Sequence, residues 1–170
     1  ALLAAKENAS LPVLVSNAYG EDGKLMTGAT PAAMAAMLEG LGADAIGANC
    51  SLGPDQLRGV AEELLQYASV PVILKPNAGL PKVVDGNTVY DVDARSFAES
   101  VADLVKAGVR VIGGCCGTTP EYIAKLGEML SSNKYSPVPR TADSAVCSAS
   151  TVVEINAPRI IGERINPTGK

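Results

Sequence analysis

A chain of 170 residues with 47% apolar side chains has material for one ordinary core, which argues against disorder over most of its length. A formal net charge of -4, no Trp and a single Phe leave neither an extended basic surface nor stacking platforms, so nucleic acid is not expected as a partner. Histidine is absent, which excludes Ser-His-Asp and Cys-His catalysis and every imidazole-bearing metal site.

No apolar run approaches the ~20 residues of a membrane-spanning helix. The alanine-rich opening is broken by Lys6 and Glu7 where a signal peptide needs a clean apolar stretch. A soluble, cytoplasmic protein is therefore expected, with no membrane partner. Four cysteines in such a chain point to metal or reactive thiols rather than disulfides, and the short CxxC spacing of zinc fingers is missing.

Residues 1–9 read as the tail of a helix. Leu11-Pro12-Val13-Leu14-Val15-Ser16 is a short β-branched run of the kind buried on both faces in a parallel sheet. A glycine-bearing loop leads to Thr30-Pro31, an N-cap with proline at the first helical position. Met34, Met37, Leu38 and Leu41 then recur at helical spacing before Gly42. The second unit runs from Ala43-Asp44-Ala45-Ile46-Gly47 through Cys50 to a helix opened by Pro54, with a stripe of Leu57, Val60, Ala61, Leu64 and Leu65. The third starts at Val70-Pro71-Val72-Ile73-Leu74 and reaches Lys75-Pro76-Asn77. It then makes an excursion through Asp85-Gly86, a hairpin turn flanked by Val83-Val84 and Val89-Tyr90, before a helix carrying Phe97, Val101, Leu104 and Val105. The fourth is Val109-Arg110-Val111-Ile112, a glycine-flanked cysteine pair, and a helix capped by Thr119-Pro120-Glu121 with Ile123, Leu126 and Leu130.

Four strand-helix units in succession imply a parallel sheet with right-handed crossovers. Cys50 and Cys115 close the second and fourth strands. In an open sheet those ends lie about 10 Å apart, two strand spacings of ~4.8 Å. In a closed barrel, alternate strands share an inward layer and the tilt draws them together. The expected fold is thus α/β, a partial (β/α)8 TIM barrel in which residues 1–131 supply the last four βα units. Residues 132–158, rich in Ser, Pro, Thr and Ala without apolar period, read as an interdomain linker. Residues 159–170, beginning Arg159-Ile160-Ile161, read as the first strand of a second barrel. Such a half-barrel exposes unpaired strand edges, so poor stability and no turnover are expected of it alone.

The chemistry lies in Cys50, Cys115 and Cys116. Consecutive strand residues face opposite ways, so Cys115 and Cys116 can share an ion only beyond the strand's end, where Gly113, Gly114 and Gly117 let the backbone turn. Three thiolates select a soft or borderline cation. A tetrahedral ion so held keeps one open position, the pattern of a catalytic zinc site, and an incoming thiol there loses its proton. Other readings are cysteines buried as small hydrophobes and a vicinal Cys115-Cys116 disulfide. Cys147, in the linker, reads as incidental. Thr168-Gly169-Lys170 is no phosphate loop, since Gly162 stands at the wrong spacing.

Gly47-Ala48-Asn49-Cys50 and Gly113-Gly114-Cys115-Cys116-Gly117-Thr118 resemble the zinc-binding motifs of the homocysteine S-methyltransferase family, with the likeness running over residues 1–131. The tail Gly162-Glu163-Arg164-Ile165-Asn166-Pro167 is similar to the opening of the pterin-binding domain that follows the homocysteine barrel in cobalamin-dependent members. The resemblance implies that Cys50, Cys115 and Cys116 hold Zn2+ and that homocysteine sulfur takes the open position and a methyl group from methylcobalamin, giving methionine. The cobalamin is bound outside this chain and recharged by 5-methyltetrahydrofolate. It also implies that Asn77 stands where the family can fill the vacancy before substrate arrives, and that Glu163 and Asn166 belong to a pterin site. On their residues alone Asn77 and Asn166 are equally turn residues. Alternatives are a stand-alone enzyme using betaine or S-methylmethionine, against which residues 159–170 speak, and a non-catalytic zinc-stabilised scaffold.

Overall fold

The structure is a computed structural model that describes residues 1–132, 141, 144–158 and 160. Its elements are, in order, α1 (Leu2–Asn8), β1 (Leu14–Asn17), α2 (Pro31–Gly40), β2 (Ala45–Asn49), α3 (Arg58–Tyr67), β3 (Val72–Lys75), β4 (Lys82–Val84), β5 (Asn87–Val89), α4 (Ala94–Ala107), β6 (Val111–Ile112), α5 (Pro120–Leu130), β7 (Ala145–Cys147) and β8 (Val152–Glu154). Strands β1, β2, β3 and β6 form one parallel sheet in that order. The architecture is α/β, with each carboxyl strand end on the same edge of the sheet.

The central strands are almost entirely apolar and buried, as a sheet covered on both faces requires. Gly47 in β2 sits where an added Cβ would strike the Ile73 carbonyl of β3, so only glycine allows the two strands their approach. The outer strands differ from expectation. Leu14 of β1 is 54% exposed and Val111 of β6 is 40% exposed, because each strand has a neighbour on one side only among the described residues. Val109 and Arg110 stay outside β6, which spans two residues.

The helices follow their sequence signals. Thr30 accepts a hydrogen bond from the Ala33 amide at the start of α2, with Pro31 at its first position. Asp93 caps α4 by accepting from the amides of Arg95 and Ser96. Thr119 precedes α5 without a capping bond from its side chain. Leu57, Leu64, Leu74 and Leu104 are fully buried in the main core, and Phe97 leads a second cluster between α4 and α5, where its ring meets Tyr122 edge to face at 5.4 Å. On α5 only Leu126 is buried, and Ile123 is exposed.

Two hairpins are also present among the described residues. Asp85 and Gly86, both with positive φ, turn β4 into β5 as the sequence predicts. The second, β7 with β8, falls within the segment read as a linker and packs beside α2. Its strands of three residues are too short to show a period in sequence. The strand expected from Arg159 onward lies almost wholly outside the described residues. No described helix is long and apolar enough to cross a membrane.

Candidate metal centre

Cys50, Cys115 and Cys116 come together. The Cys50 and Cys116 sulfurs lie 3.7 Å apart and those of Cys115 and Cys116 3.9 Å apart, with all three within 4.8 Å of one another. A disulfide needs ~2.05 Å, so the vicinal bond is not formed, and each of these thiols is free. An ion with ~2.3 Å zinc-sulfur bonds at tetrahedral angles separates its sulfurs by about 3.8 Å. The spacing of this donor set therefore suits zinc.

The backbone explains how residues from two distant places meet. Both cysteine loops hang on the segment that continues β3, Leu74–Ala78. The Cys50 amide donates to the Lys75 carbonyl, Gly113 to Leu74, and Cys115 to Pro76. In return the Ala78 amide donates to the Cys116 carbonyl, and the Asn77 amide to that of Leu52. Pro76, buried and without an N–H, leaves no orphan donor where the strand stops. Cys50 and Ser51 both take left-handed backbone angles, φ 61° and 62°, which swings the Cys50 thiol out of the strand direction. On the other loop β6 ends at Ile112, and Gly117 at φ 80° turns the chain after the pair. Thr118 closes that turn, its hydroxyl and amide both donating to the Cys115 carbonyl.

Asn77 is the one buried polar residue among the described residues, 3% exposed, and its Oδ1 accepts from the Cys116 amide at 3.1 Å. It lies on the loop beside Cys116, the neighbourhood that the family resemblance implies. The thiols are not equivalent. The Ser51 amide, outweighing burial and helped by Cys116, Cys115 and Asn77, draws Cys50 below the ordinary thiol range. Burial and hydrogen bonds with the other two sulfurs push Cys115 above it.

Sequence reasoning passed over Tyr90. The residue returns from the β4–β5 hairpin onto the cysteine loop, where its ring leaves no room for a Cβ on Gly117. Burial, and then the nearby Cys116 side chain, push its phenol above the ordinary range. The one signal available was an aromatic residue directly after a predicted hairpin, in a chain with few aromatics. Cys147 lies apart, exposed on β7, and Glu163 and Asn166 lie outside the described residues.

The family model for homocysteine S-methyltransferase matches residues 1–130. The chain is 33% identical to the methionine synthase of Mycobacterium leprae strain TN over 168 residues, and 30% identical to that of Mycobacterium tuberculosis over 163 residues. Each alignment covers 94% of this chain but 14% of the relative, so the chain spans about a seventh of the length of those proteins. Among solved structures, a homocysteine methyltransferase of Escherichia coli in its metallated form superimposes with a TM-score of 0.58 at 26% identity. The match covers 75% of this chain and 38% of that one. The apo form of that enzyme gives 0.59 at 23% identity over 75% and 43% of the two chains, a likeness of fold. With the family model spanning all four strand-helix units and both cysteine loops, the chain belongs to the homocysteine S-methyltransferase family.

Proposed function

We propose that this chain is the metal-holding half of a methyltransferase that makes methionine from homocysteine, with Cys50, Cys115 and Cys116 as its zinc ligands. The observation that carries the reading is the meeting of three sulfurs from two strand ends within 4.8 Å of one another, two of the pairs at 3.7 and 3.9 Å. Bound there, zinc would supply a Lewis-acidic fourth position that holds a substrate thiol as thiolate at neutral pH. The chain's own part is to fix that position. Residues 74–78 set the distance between the two loops, and Asn77 orients the Cys116 loop by accepting from its amide. A reducing cytoplasmic setting suits three free thiols.

The sheet then reads as four of the eight strands of a (β/α)8 barrel, residues 1–131, with the linker at 132–158 and a pterin-binding domain opening at 159–170. On this layout methylcobalamin donates the methyl group and 5-methyltetrahydrofolate restores it, both held by other domains, while Glu163 and Asn166 contact the pterin. The Gly162 to Pro167 pattern and the likeness to methionine synthases over 94% of the chain support it.

Zinc K-edge absorption of the complete protein, with and without homocysteine, tests the reading. Three zinc-sulfur bonds rising to four are expected. A sulfur count that homocysteine leaves unchanged would instead indicate a structural scaffold and sink the enzymatic assignment.

A further inference from the structure

Lys6, Lys82, Lys106 and Lys125 each pair with a carboxylate. Lys75 does not. It is half-buried at the end of β3, and its ammonium has neither an ion pair nor a hydrogen bond among the described residues. A cation drawn part-way out of water without a partner is costly, so an anion is expected opposite it.

The backbone shows which way Lys75 faces. Ile46, Ala48, Val72 and Leu74 pack in the main core, and side chains alternate along a strand, so Asn49 and its register partner Lys75 belong to the opposite face. Ser16 lies there too, donating to Asn49 Oδ1 at 2.8 Å. The Lys75 stem turns toward the loop of the cysteine pair: a Cβ on Gly113, two residues before Cys115, would lie 3.4 Å from its Cγ and 3.9 Å from its Cδ. Its carbonyl meanwhile holds the Cys50 amide. Strands β1, β2, β3 and β6 carry no acidic residue, so the anion that the described strands offer this face is the thiolate group at their ends.

We infer that Lys75 is a positioning residue of the metal centre, resting on the zinc-thiolate reading above, whose positive charge favours the substrate sulfur as a fourth thiolate ligand. Three thiolates on a divalent ion leave one net negative charge, and a fourth makes two. The second charge is the harder to place away from bulk water, and a fixed cation on the same face of the sheet offsets it by Coulomb attraction, with no bond to sulfur required. The substrate thiol gives its proton to solvent as it binds, and Lys75 takes no part in that transfer.

The test uses the complete protein with cobalt in place of zinc, unsubstituted and as Lys75→Gln and Lys75→Arg, with metal content measured and ligand binding read from the visible cobalt spectrum. Three ligands are titrated: homocysteine, 3-aminopropanethiol, which keeps the thiol and amine but lacks the carboxylate, and imidazole, a neutral donor that adds no negative charge. Lys75→Gln is expected to weaken both thiols on the order of tenfold, the scale of Coulomb attraction between unit charges about 10 Å apart at an effective dielectric constant of ~20. Imidazole affinity and metal content should hold, and Lys75→Arg should restore thiol binding. Unchanged thiol affinity in Lys75→Gln overturns the inference. A loss confined to homocysteine does so too, since it would assign the ammonium to the substrate carboxylate. Equal weakening of imidazole, or loss of the metal, would give Lys75 a merely structural part and likewise overturn it. Absence of stoichiometric zinc from the unsubstituted protein as purified would instead defeat the reading on which the inference rests.

Discussion

At the scale of single residues, the centre depends on groups that do different jobs at short range. Cys116→Ala removes one of three donors and should abolish stoichiometric zinc binding in the complete protein, as measured by metal analysis after gel filtration. Asn77→Ala leaves the Cys116 amide without its buried acceptor and should destabilise by about 1–3 kcal/mol in denaturant unfolding. Gly117→Ala adds the left-handed cost of about 1–2 kcal/mol and pushes against the Tyr90 ring, so it should lower stability in denaturant unfolding by at least that cost. The thiols differ in their pH response. In metal-free protein the alkylation rate of Cys50 should rise with pH before the ordinary thiol range, and that of Cys115 after it. The cysteines and their glycines were plain in the sequence because chemistry chose the residue types. Tyr90 was not, because its place beside Cys116 exists only once the hairpin folds back. The left-handed angles at Cys50 and Ser51 were equally hidden, since neither residue type announces them.

At the scale of elements, spacing between strands decides more than helix propensity. Gly47→Ala should cost at least the ~1–3 kcal/mol typical of overpacking, because its Cβ meets backbone that cannot move without parting β2 from β3. Circular dichroism melting with a loss of zinc would register it. The cap of α4 gives a second element-level expectation. Hydrogen bonds from the Ser96 amide and hydroxyl and the Arg95 amide hold the Asp93 carboxyl below its usual value. A depressed folded value means that the carboxylate's contribution is present above the unfolded value of 3.8 and is lost as pH falls through the folded one. Asp93→Asn should therefore flatten the acid limb of the stability curve below that pH. Helix starts marked by Thr30-Pro31 and the Asp85-Gly86 turn were legible because each residue fixes its own backbone angles. The β7–β8 hairpin was illegible because three-residue strands of mixed polarity carry no period.

At the scale of the whole molecule, the four parallel strands of the main sheet were readable from the alternation of apolar runs with helical stripes. The exposure of the outer strands was not, since Leu14 and Val111 read as apolar as their buried neighbours. If the sheet is half of a barrel, those faces and edges should be covered in the complete protein. Expressed with a segment carrying the other four units, the chain should gain protection from hydrogen exchange at β1 and β6 while β2 and β3, already enclosed, change little.

The rail formed by Leu74–Ala78 has one more implication. Because both sulfur-bearing loops are fastened to it, thermal breathing of the sheet carries the three donors as a single body, and their triangle survives distortions that would scatter ligands fixed to separate walls. The donor set is thereby portable: β3 with its two flanking loops makes up a cassette that could be spliced into another parallel sheet with its geometry intact.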